Sequence, residues 1–345
     1  MWTIFLFALV VAAAYAIRET LGIFLVALFF AYMLTPVVDF VASRFPPRVS
    51  RTASLAIVYL ALVGILIILG FAIGGRISDE AGALANRVPD FFQNRDWINK
   101  IPLPSWLEPM RERIIDSVQA QFRTGGKDWL PYLTSAGSKV VSGLSAAFFV
   151  VLVPILAFFF LKDGESIRES FLTAFTNSQE RVLIQDILND VHVLLGQYIR
   201  ALVLLSAATF ISYVVFLSAT EAPYFVLLAG AAAALEFIPV VGPLSAGVII
   251  ILVTGLSGYT HVLGFFIFWL LYRVFQDYVV SPYLMGSGVE LHPLLVLFGV
   301  LAGERIAGIP GMFFSVPVLA VLRVIYVRAT RMRRNREFTE FTKLA

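Results

Sequence analysis

Long apolar runs dominate the chain, and several contain a proline, a glycine or a charged residue in the middle. Four runs are long enough, or nearly so, to cross a hydrocarbon layer, which takes about 20 helical residues. They are 53–75, 140–161, 202–219 and 261–275. The apolar sequence from 222 to 255 differs, because Glu-Phe-Ile-Pro-Val-Val-Gly-Pro interrupts it at 236–243. Backbone leaves the helix at membrane depth only inside protein or beside a wet cavity, so the pattern predicts a polytopic membrane protein with something to move.

The fold class predicted from these runs is all-α: a polytopic integral membrane protein with about eight spans, re-entrant helical hairpins and a small extracytoplasmic helical segment. The apolar segments are 2–17, 20–42, 53–75, 140–161, 200–219, 223–238, 243–257, 261–280, 291–304 and 309–328. If the pairs 223–257 and 291–328 are re-entrant hairpins, about six full crossings remain, and if all segments cross there are about ten. The parity is even in every case, so both termini lie on one side.

Charge and polarity divide the chain further. Arg44, Arg48 and Arg51 follow the second run, and the positive-inside rule places them, and with them both termini, in the cytoplasm. We expect the outer amphipathic segment, residues 76–139, to pack on the spans or on neighbouring subunits, with ligand binding as the alternative. We expect the inner amphipathic helix, within residues 162–200, to lie on the bilayer or against other subunits. The predicted divisions are 1–75 (membrane spans), 76–139 (extracytoplasmic amphipathic helices), 140–161 (span), 162–200 (cytoplasmic amphipathic helices), 201–328 (transport core with broken helices) and 329–345 (basic cytoplasmic tail).

Composition narrows the functional classes. Apolar residues make up 59% and charged residues 14% of the chain, and the mean hydropathy is +0.86, whereas soluble domains are about 25% charged. The absence of cysteine removes disulfides, thiolate metal sites and cysteine nucleophiles. The sequence contains no P-loop pattern, no His-Glu-x-x-His and no Gly-x-Ser-x-Gly. We therefore predict no enzyme activity, no cofactor, no metal and no nucleic-acid partner.

Glu236 is the first candidate transport residue, since it directly precedes the interruption formed by Pro239, Gly242 and Pro243. A helix break frees carbonyl and N–H groups that can bind an ion or a polar solute, and the ends of half-helices add their dipoles. A charge at the bilayer centre costs about 2.5–3.5 kcal/mol on insertion scales, so Glu236 needs a partner or a cavity. The structural alternative is that Glu236 reaches the interface or forms a structural pair.

A second cluster lies at the end of the 261–280 run. Arg273 and Asp277 are four residues apart and face the same side of a helix, where they neutralise each other, and Gln276 lies beside them. This cluster is either an interfacial ion pair that holds the helix end or a gate that opens when a carboxylate is protonated.

The third region combines helix breakers with ionisable residues around the short apolar run 293–302, which predicts a second re-entrant hairpin. Glu304 and Arg305 would lie at its tip, where a hairpin meets substrate. His292 either titrates near neutral pH or begins a helix. The breakers are Pro282, Gly286, Pro293, Gly308 and Gly311.

The order of several local patterns resembles the autoinducer-2 exporter family over nearly the whole chain. The patterns are Ala31-Tyr32-Met33-Leu34-Thr35-Pro36, Val88-Pro89, Phe159 through Glu165, Gly196-Gln197-Tyr198-Ile199-Arg200, Ile238 through Pro243, Gln276-Asp277-Tyr278, Ser281-Pro282, Leu291-His292-Pro293 and Gly308 through Pro317. The family's Pro-x-x-Gly break corresponds to Pro239 and Gly242, and its Leu-His-Pro element to 291–293.

The resemblance implies a bacterial inner-membrane transporter that forms a homo-oligomer, with a pentamer as the assembly. Some members of the family are assigned to export of the signalling furanone autoinducer-2, and others to exchange of sodium or lithium against protons. We therefore predict a secondary transporter that exports a small polar organic solute, driven by a proton or sodium gradient across the lipid membrane. The alternatives are a Na⁺(Li⁺)/H⁺ antiporter, with a cation as substrate, and an oligomeric membrane scaffold or regulator without transport.

Overall fold

The computed structural model describes residue 9 and residues 16–44, 50–93, 144–285 and 291–344, and within these residues every regular element is helical. The elements are α1 (Arg18–Ala42), α2 (Arg51–Gln93), α3 (Leu144–Thr173), α4 (Ser178–Ala219), α5 (Phe225–Leu235), α6 (Val241–Leu256), α7 (Val262–Phe275), a π-helical turn (Gln276–Val280), α8 (Ser281–Met285) and α9 (Pro293–Leu344). The all-α prediction is confirmed.

Among the described residues, five helical stretches are long and apolar enough to cross a membrane, judged by their length and composition. They are Thr20–Val41, Thr52–Arg87, Ser178–Ala219, Val262–Leu284 and Pro293–Arg331. Large apolar side chains on their surfaces are exposed, for example Leu60 and Ile68 at 68% and Phe71 at 80%. Such surfaces are unfavourable in water and suited to lipid, which confirms a polytopic membrane protein. The predicted count of about eight spans stays a prediction.

The polarity changes at 75/76, 161/162 and 200/201 fall inside α2, α3 and α4, so they do not mark helix ends. A helix continues into water wherever its sequence keeps adequate helix formers and lacks a cap, because the i to i−4 backbone hydrogen bonds form in water as well as in lipid. Residues 76–93 of the predicted extracytoplasmic segment are thus a direct extension of α2. Residues 94–139 of that segment lie outside the described residues, as does most of the first apolar run.

The chain forms two compact units. Unit 1 comprises residues 1–65, 147–200 and 288–345, and unit 2 comprises residues 66–146 and 201–287. In unit 1, α1, the first part of α2 and α3 share an apolar core, and the Tyr59 hydroxyl donates to the carbonyl of Pro154. The buried members of that core are Ala31, Leu34, Val38, Leu55, Val58, Tyr59 and Ala157.

Polar contacts in unit 1 join the hydrophilic half of α4 to its neighbours. Arg328 of α9 donates to both carboxylate oxygens of Asp190, over 2.6 and 2.9 Å, and to Asp186 over 3.1 Å. The Tyr32 hydroxyl of α1 and Nδ1 of His192 share a hydrogen bond of 2.9 Å. The amphipathic region predicted at 162–200 therefore packs on α1 and α9 of the same chain.

Helix α9 contains a sharp turn at Ala307 and Gly308, where Gly308 has φ 63° and ψ −140°. The two arms on either side fold together, because a Cβ added to Gly303 would lie 2.2 Å from the carbonyl oxygen of Gly311. Backbone contact this close requires glycine on both arms. Pro293 is the first residue of α9, a position where its missing N–H has no cost.

In unit 2, the second half of α4 packs against α5, α6 and α7. Its buried core contains Tyr213, Leu217, Ala222, Leu228, Ala229, Ala232, Ala246, Ile250, Tyr259, Val262 and Phe265. Alanines on α5 allow its backbone to lie close to the neighbouring helices, as is common where helices pack in membranes. This core holds the apolar pair α5–α6 in place, and the turn between those two helices carries the candidate site.

The prediction of a helix break at Pro282 is wrong. Pro282 is the second residue of α8, which follows directly from the π-helical turn Gln276–Val280. Proline lacks an N–H and its ring crowds the carbonyl one turn earlier, and the wider turn of a π-helix relieves that crowding. Gly286, the next predicted breaker, lies outside the described residues.

Candidate functional site

The turn between α5 and α6 in unit 2 is short and tightly packed. Helix α5 ends at Leu235 and α6 begins at Val241, and Val240 between them has φ 64°. A Cβ on Gly242 would lie 1.8 Å from the carbonyl oxygen of Leu235, so only glycine fits there. Pro239 lies inside the turn, and Pro243 lies in the first turn of α6, where proline is tolerated.

Glu236, the first residue after α5, directs its carboxylate into the protein, and only 7% of its side chain is exposed. Its Oε1 accepts a hydrogen bond of 2.7 Å from Nε2 of Gln276, and its Oε2 accepts one of 3.1 Å from the Thr209 hydroxyl. Nη1 of Arg273 lies 3.5 Å from Oε1. These partners come from α4, α7 and the π-helical turn, so the carboxylate joins three elements of unit 2.

Arg273 is shared between two carboxylates. Its Nη2 contacts Oδ1 of Asp277 at 2.7 Å, one helical turn away, while its Nη1 faces Glu236. Two carboxylates and one guanidinium carry a formal charge of −1 together. Nη1 is buried and has no hydrogen-bond acceptor within the described residues. The cluster therefore offers both excess negative charge and an unused donor.

Two cluster members were not predicted from the sequence. The hydroxyls of Thr209 and Tyr272 lie 3.1 Å apart, and Thr209 also bonds Glu236, so a hydroxyl chain leads away from the carboxylate. Both residues lie in apolar runs, where a threonine or tyrosine looks like an ordinary membrane residue. The available signal was spacing, since Tyr272 precedes Gln276 by four residues and shares its helix face.

The π-helical turn orients the inner part of this cluster. It begins at Gln276, which is buried, and includes Asp277, which is partly exposed. Single π turns within α-helices occur frequently at functional sites, because the extra residue redirects side chains that an α-helix would place elsewhere. Here the turn begins three residues after Arg273, and it contains the two residues that contact Glu236 and Arg273, namely Gln276 and Asp277.

The structure assigns the third predicted group to unit 1 rather than to this cluster. His292 precedes α9, and its Nδ1 accepts a hydrogen bond of 3.2 Å from the backbone N–H of Leu294, the geometry of a helix-start residue. Glu304 and Arg305 lie close to the α9 turn and 3.6 Å from each other, with 88% of the Arg305 side chain exposed. Gly308 forms that turn, and Gly311 packs on Gly303.

An apolar cavity of about 840 Å³ lies in unit 1, between the first turns of α1 and the two arms of α9. Its lining includes Leu21, Val26, Phe298 and Phe314, and none of the predicted charged site residues. A polar solute or ion would lose its hydration there without compensation. The better candidate site is therefore the Glu236 cluster, which consists of Glu236, Thr209, Tyr272, Arg273, Gln276 and Asp277. Within the described part of the chain, no group of three or more histidine, aspartate or glutamate side chains is arranged to hold a metal ion.

Comparisons with known proteins agree on one family. A family model described as AI-2E family transporter matches residues 4–331. The chain is 22% identical over 331 residues to "Putative transport protein YueF" of Bacillus subtilis (strain 168), covering 91% of this chain and 88% of that protein. It is 25% identical over 295 residues to "Putative permease PerM" of Escherichia coli (strain K12), covering 80% and 78%. Because the match extends over nearly the whole sequence, the chain belongs to the AI-2E family of transporters.

Proposed function

We propose that this protein is a secondary transporter that exports a small polar organic solute across the bacterial inner membrane, driven by protons or sodium ions that bind at the Glu236 cluster. The observation that carries the proposal is the contact of one guanidinium, Arg273, with two carboxylates, Glu236 and Asp277, of which Glu236 is almost fully buried. The cargo class follows the family resemblance, which points to a furanone signal such as autoinducer-2.

Burial makes the excess charge a reason to bind a cation. A buried charge needs a partner, because removal from water costs several kcal/mol per ion. Arg273 supplies one positive charge for two carboxylates, so a proton or a sodium ion at the cluster completes the neutralisation. Occupied and empty states of the cluster then differ in charge, and a difference of this kind allows an ion gradient to drive a conformational change.

The position of Glu236 on its helix supports the same conclusion. Glu236 follows the last residue of α5, and the C-terminal end of a helix dipole carries about half a negative charge. A carboxylate at this end is disfavoured as an anion and favoured when a cation or proton binds. Broken helices that present such ends to ions at mid-membrane depth are a recurring feature of secondary transporters.

A Na⁺(Li⁺)/H⁺ antiporter is the second candidate function, and the ligand chemistry of the cluster favours it. The Glu236 carboxylate meets the Thr209 hydroxyl within hydrogen-bond distance, and the Tyr272 hydroxyl lies 3.1 Å from that of Thr209. Oxygen donors with net negative charge suit small hard cations. In this case the cation is the cargo as well as the coupling ion, and no organic solute is needed for turnover.

Proteoliposomes with an interior pH dye separate these functions. A salt pulse of NaCl or LiCl that changes interior pH without organic solute indicates the antiporter. A pH change or ion uptake that appears only when the vesicles are loaded with the furanone indicates ion-coupled export. If neither salt nor solute moves protons, the non-transporting scaffold replaces both. Glu236→Gln should abolish the signal, whereas Glu221→Gln, an exposed carboxylate of the same unit, should retain it.

The proposal includes cytoplasmic termini and a homo-oligomer, with a pentamer expected. Because the chain contains no cysteine, single cysteines give a clean test of sidedness. Ser43→Cys should react only with membrane-permeant thiol reagents in whole cells, and Thr260→Cys should react with impermeant ones. Native mass spectrometry in lipid nanodiscs then counts the subunits. Equal labelling of both positions by the impermeant reagent would contradict the assigned orientation.

A further inference from the structure

In the first turn of α5, one backbone N–H group that has no partner within the helix finds an acceptor on a distant helix. Its N-cap residue, Tyr224, lies in the left-handed region with φ 57° and provides no side-chain cap. Leu228 donates to the carbonyl of Tyr224 over 2.9 Å. The N–H of Leu227 donates instead to Oε2 of Glu80 on α2, over 2.7 Å, across 147 positions of sequence. A carboxylate from a distant helix thus caps α5.

A second contact joins the same two helices. A Cβ on Gly230 would lie 3.1 Å from Cδ1 of Ile77, three residues before Glu80. Leu227 contacts Glu80, and Gly230, three residues later on α5, contacts Ile77, three residues earlier on α2. The two helices therefore run antiparallel in unit 2, and Gly230 lets them lie close together.

Helix α5 consequently has a carboxylate at each end. Glu80 contacts its N-terminus, where the helix dipole favours an anion, and Glu236 follows its C-terminus, where the dipole disfavours one. An apolar helix of 11 residues is about 16 Å long. It behaves as a short rod, so the contact that fixes the first end also sets the position of the second.

We propose that Glu80 is a positioning residue for the Glu236 cluster. By holding the first turn of α5 against α2, its carboxylate fixes where the α5–α6 turn presents Glu236 to Arg273 and Gln276. The role rests on the proposed function, because the position of Glu236 matters for transport only if the cluster binds the driving ion. A charge-assisted bond to backbone N–H groups is strong in a low-dielectric setting, and losing it leaves an unsatisfied donor at the helix start.

The experiment compares Glu80→Ala, Glu80→Gln and Asp79→Ala in proteoliposomes and by hydrogen exchange. Glutamine keeps an acceptor oxygen at the same reach, and Asp79 is an exposed neighbour of equal charge on the same helix. We expect Glu80→Ala to raise the driving-ion concentration for half-maximal flux at least fivefold, with the maximal rate within about twofold. Glu80→Gln should show a smaller rise than Glu80→Ala, because it keeps the acceptor without the charge, and Asp79→Ala should stay within about twofold of wild type.

Three results would overturn the proposal. The first is an unchanged half-maximal concentration in Glu80→Ala, even if its thermal stability falls, since that describes a purely structural cap. The second is a Glu80→Gln protein as impaired as Glu80→Ala, since the acceptor would then be irrelevant. The third is an equal loss in Asp79→Ala, which would indicate surface charge. If Glu80→Ala does not purify, Glu80→Asp replaces it, because its shorter side chain withdraws the acceptor from Leu227.

Hydrogen exchange separates this proposal from the proposed function. If wild type shows no ion-driven flux, transport by the cluster fails, and the positioning role is judged from exchange alone. Faster exchange in Glu80→Ala at 225–228 together with the turn at 236–240 supports it, since the effect then crosses the helix. Faster exchange confined to 225–228 overturns it, because Glu80 would then affect only its own end.

Discussion

Gln276 donates a hydrogen bond from Nε2 to Oε1 of Glu236 over 2.7 Å, although 40 residues separate them along the chain. The bond joins the π-helical turn after α7 to the turn between α5 and α6. Both partners are buried, so loss of the bond would leave a polar group without water to replace it. This hydrogen bond makes the Glu236 cluster a single polar network among the apolar side chains of unit 2.

Replacing Glu236 by glutamine should abolish ion-driven flux while leaving the fold intact. Glutamine has nearly the same shape and still accepts a hydrogen bond from Gln276, and Arg273 keeps Asp277 at 2.7 Å. The negative charge that attracts the driving ion is lost, however. Flux in proteoliposomes and thermal unfolding in detergent are the two measurements. A Glu236→Gln protein that transports like wild type would remove this carboxylate from the mechanism.

Replacing Arg273 by glutamine should instead destabilise the protein, because Glu236 loses its cationic partner while remaining buried. Breaking a buried ion pair costs about 3–5 kcal/mol, and because 27% of the Arg273 side chain is exposed, the expected loss is about 3 kcal/mol. The double variant with Glu236→Gln should recover part of the loss, with a coupling energy of about 1–3 kcal/mol.

Unfolding midpoints of the two single variants, the double variant and wild type complete this cycle. Glu221→Gln is the control for Glu236→Gln, since it removes an exposed carboxylate from the same unit. Strictly additive losses would show that Arg273 and Glu236 do not interact, and that the 3.5 Å separation of their charged atoms has no energetic meaning.

The sequence predicts the helical character and the family of this protein well, because both depend on patterns spread along the whole chain. Hydropathy is less informative about helix ends. The run at 200–219 is the apolar half of α4, which begins 22 residues earlier at Ser178. A change from apolar to polar residues marks a change of surroundings, whereas a helix ends only where caps, glycine or proline stop it.

The candidate site illustrates a second limit. From the sequence, Glu236 and the Arg273–Asp277 pair form two separate clusters, since no local rule connects residues about 40 positions apart. The structure brings them together through the packing of α5, α6 and α7. Thr209 and Tyr272 give no polar signal of their own, because hydroxyls are common in membrane helices and bond to nearby carbonyls. Spacing from Gln276 is the one signal for Tyr272, and tertiary packing alone identifies Thr209.

Gly242→Ala should prevent the α5–α6 turn from forming. The added methyl group would lie 1.8 Å from the carbonyl oxygen of Leu235, a backbone atom that cannot move aside without unwinding α5. We expect a sharp loss of folded protein in membranes, measured by the monodisperse fraction after detergent extraction. Gly70→Ala is the matched control, because its Cβ meets nothing within 4 Å and alanine favours the helix. Equal yields from both variants would contradict the observed turn.

Arg328→Lys should loosen the contact between α9 and the hydrophilic half of α4. Arginine binds both oxygens of Asp190 and one of Asp186, and lysine offers a point charge that cannot reproduce this fork. Because all three side chains are partly exposed, the expected loss is about 1 kcal/mol. Asp190→Asn should cost more than Asp186→Asn, since two hydrogen bonds weaken rather than one. High salt should reduce the differences, because solvent-accessible ion pairs are screened.

Hydrogen exchange of 184–192 and of 324–331, together with the unfolding midpoint, measures the effect of Arg328→Lys. Arg305→Lys is the control on the same helix, since 88% of the Arg305 side chain is exposed and its replacement should change neither quantity. If a bidentate contact holds α9 on α4, exchange should become faster in both segments of Arg328→Lys and should not change in Arg305→Lys. If Arg328→Lys and Arg305→Lys behave alike, the two aspartates contribute no more than general surface charge, and apolar packing alone fixes this end of α9.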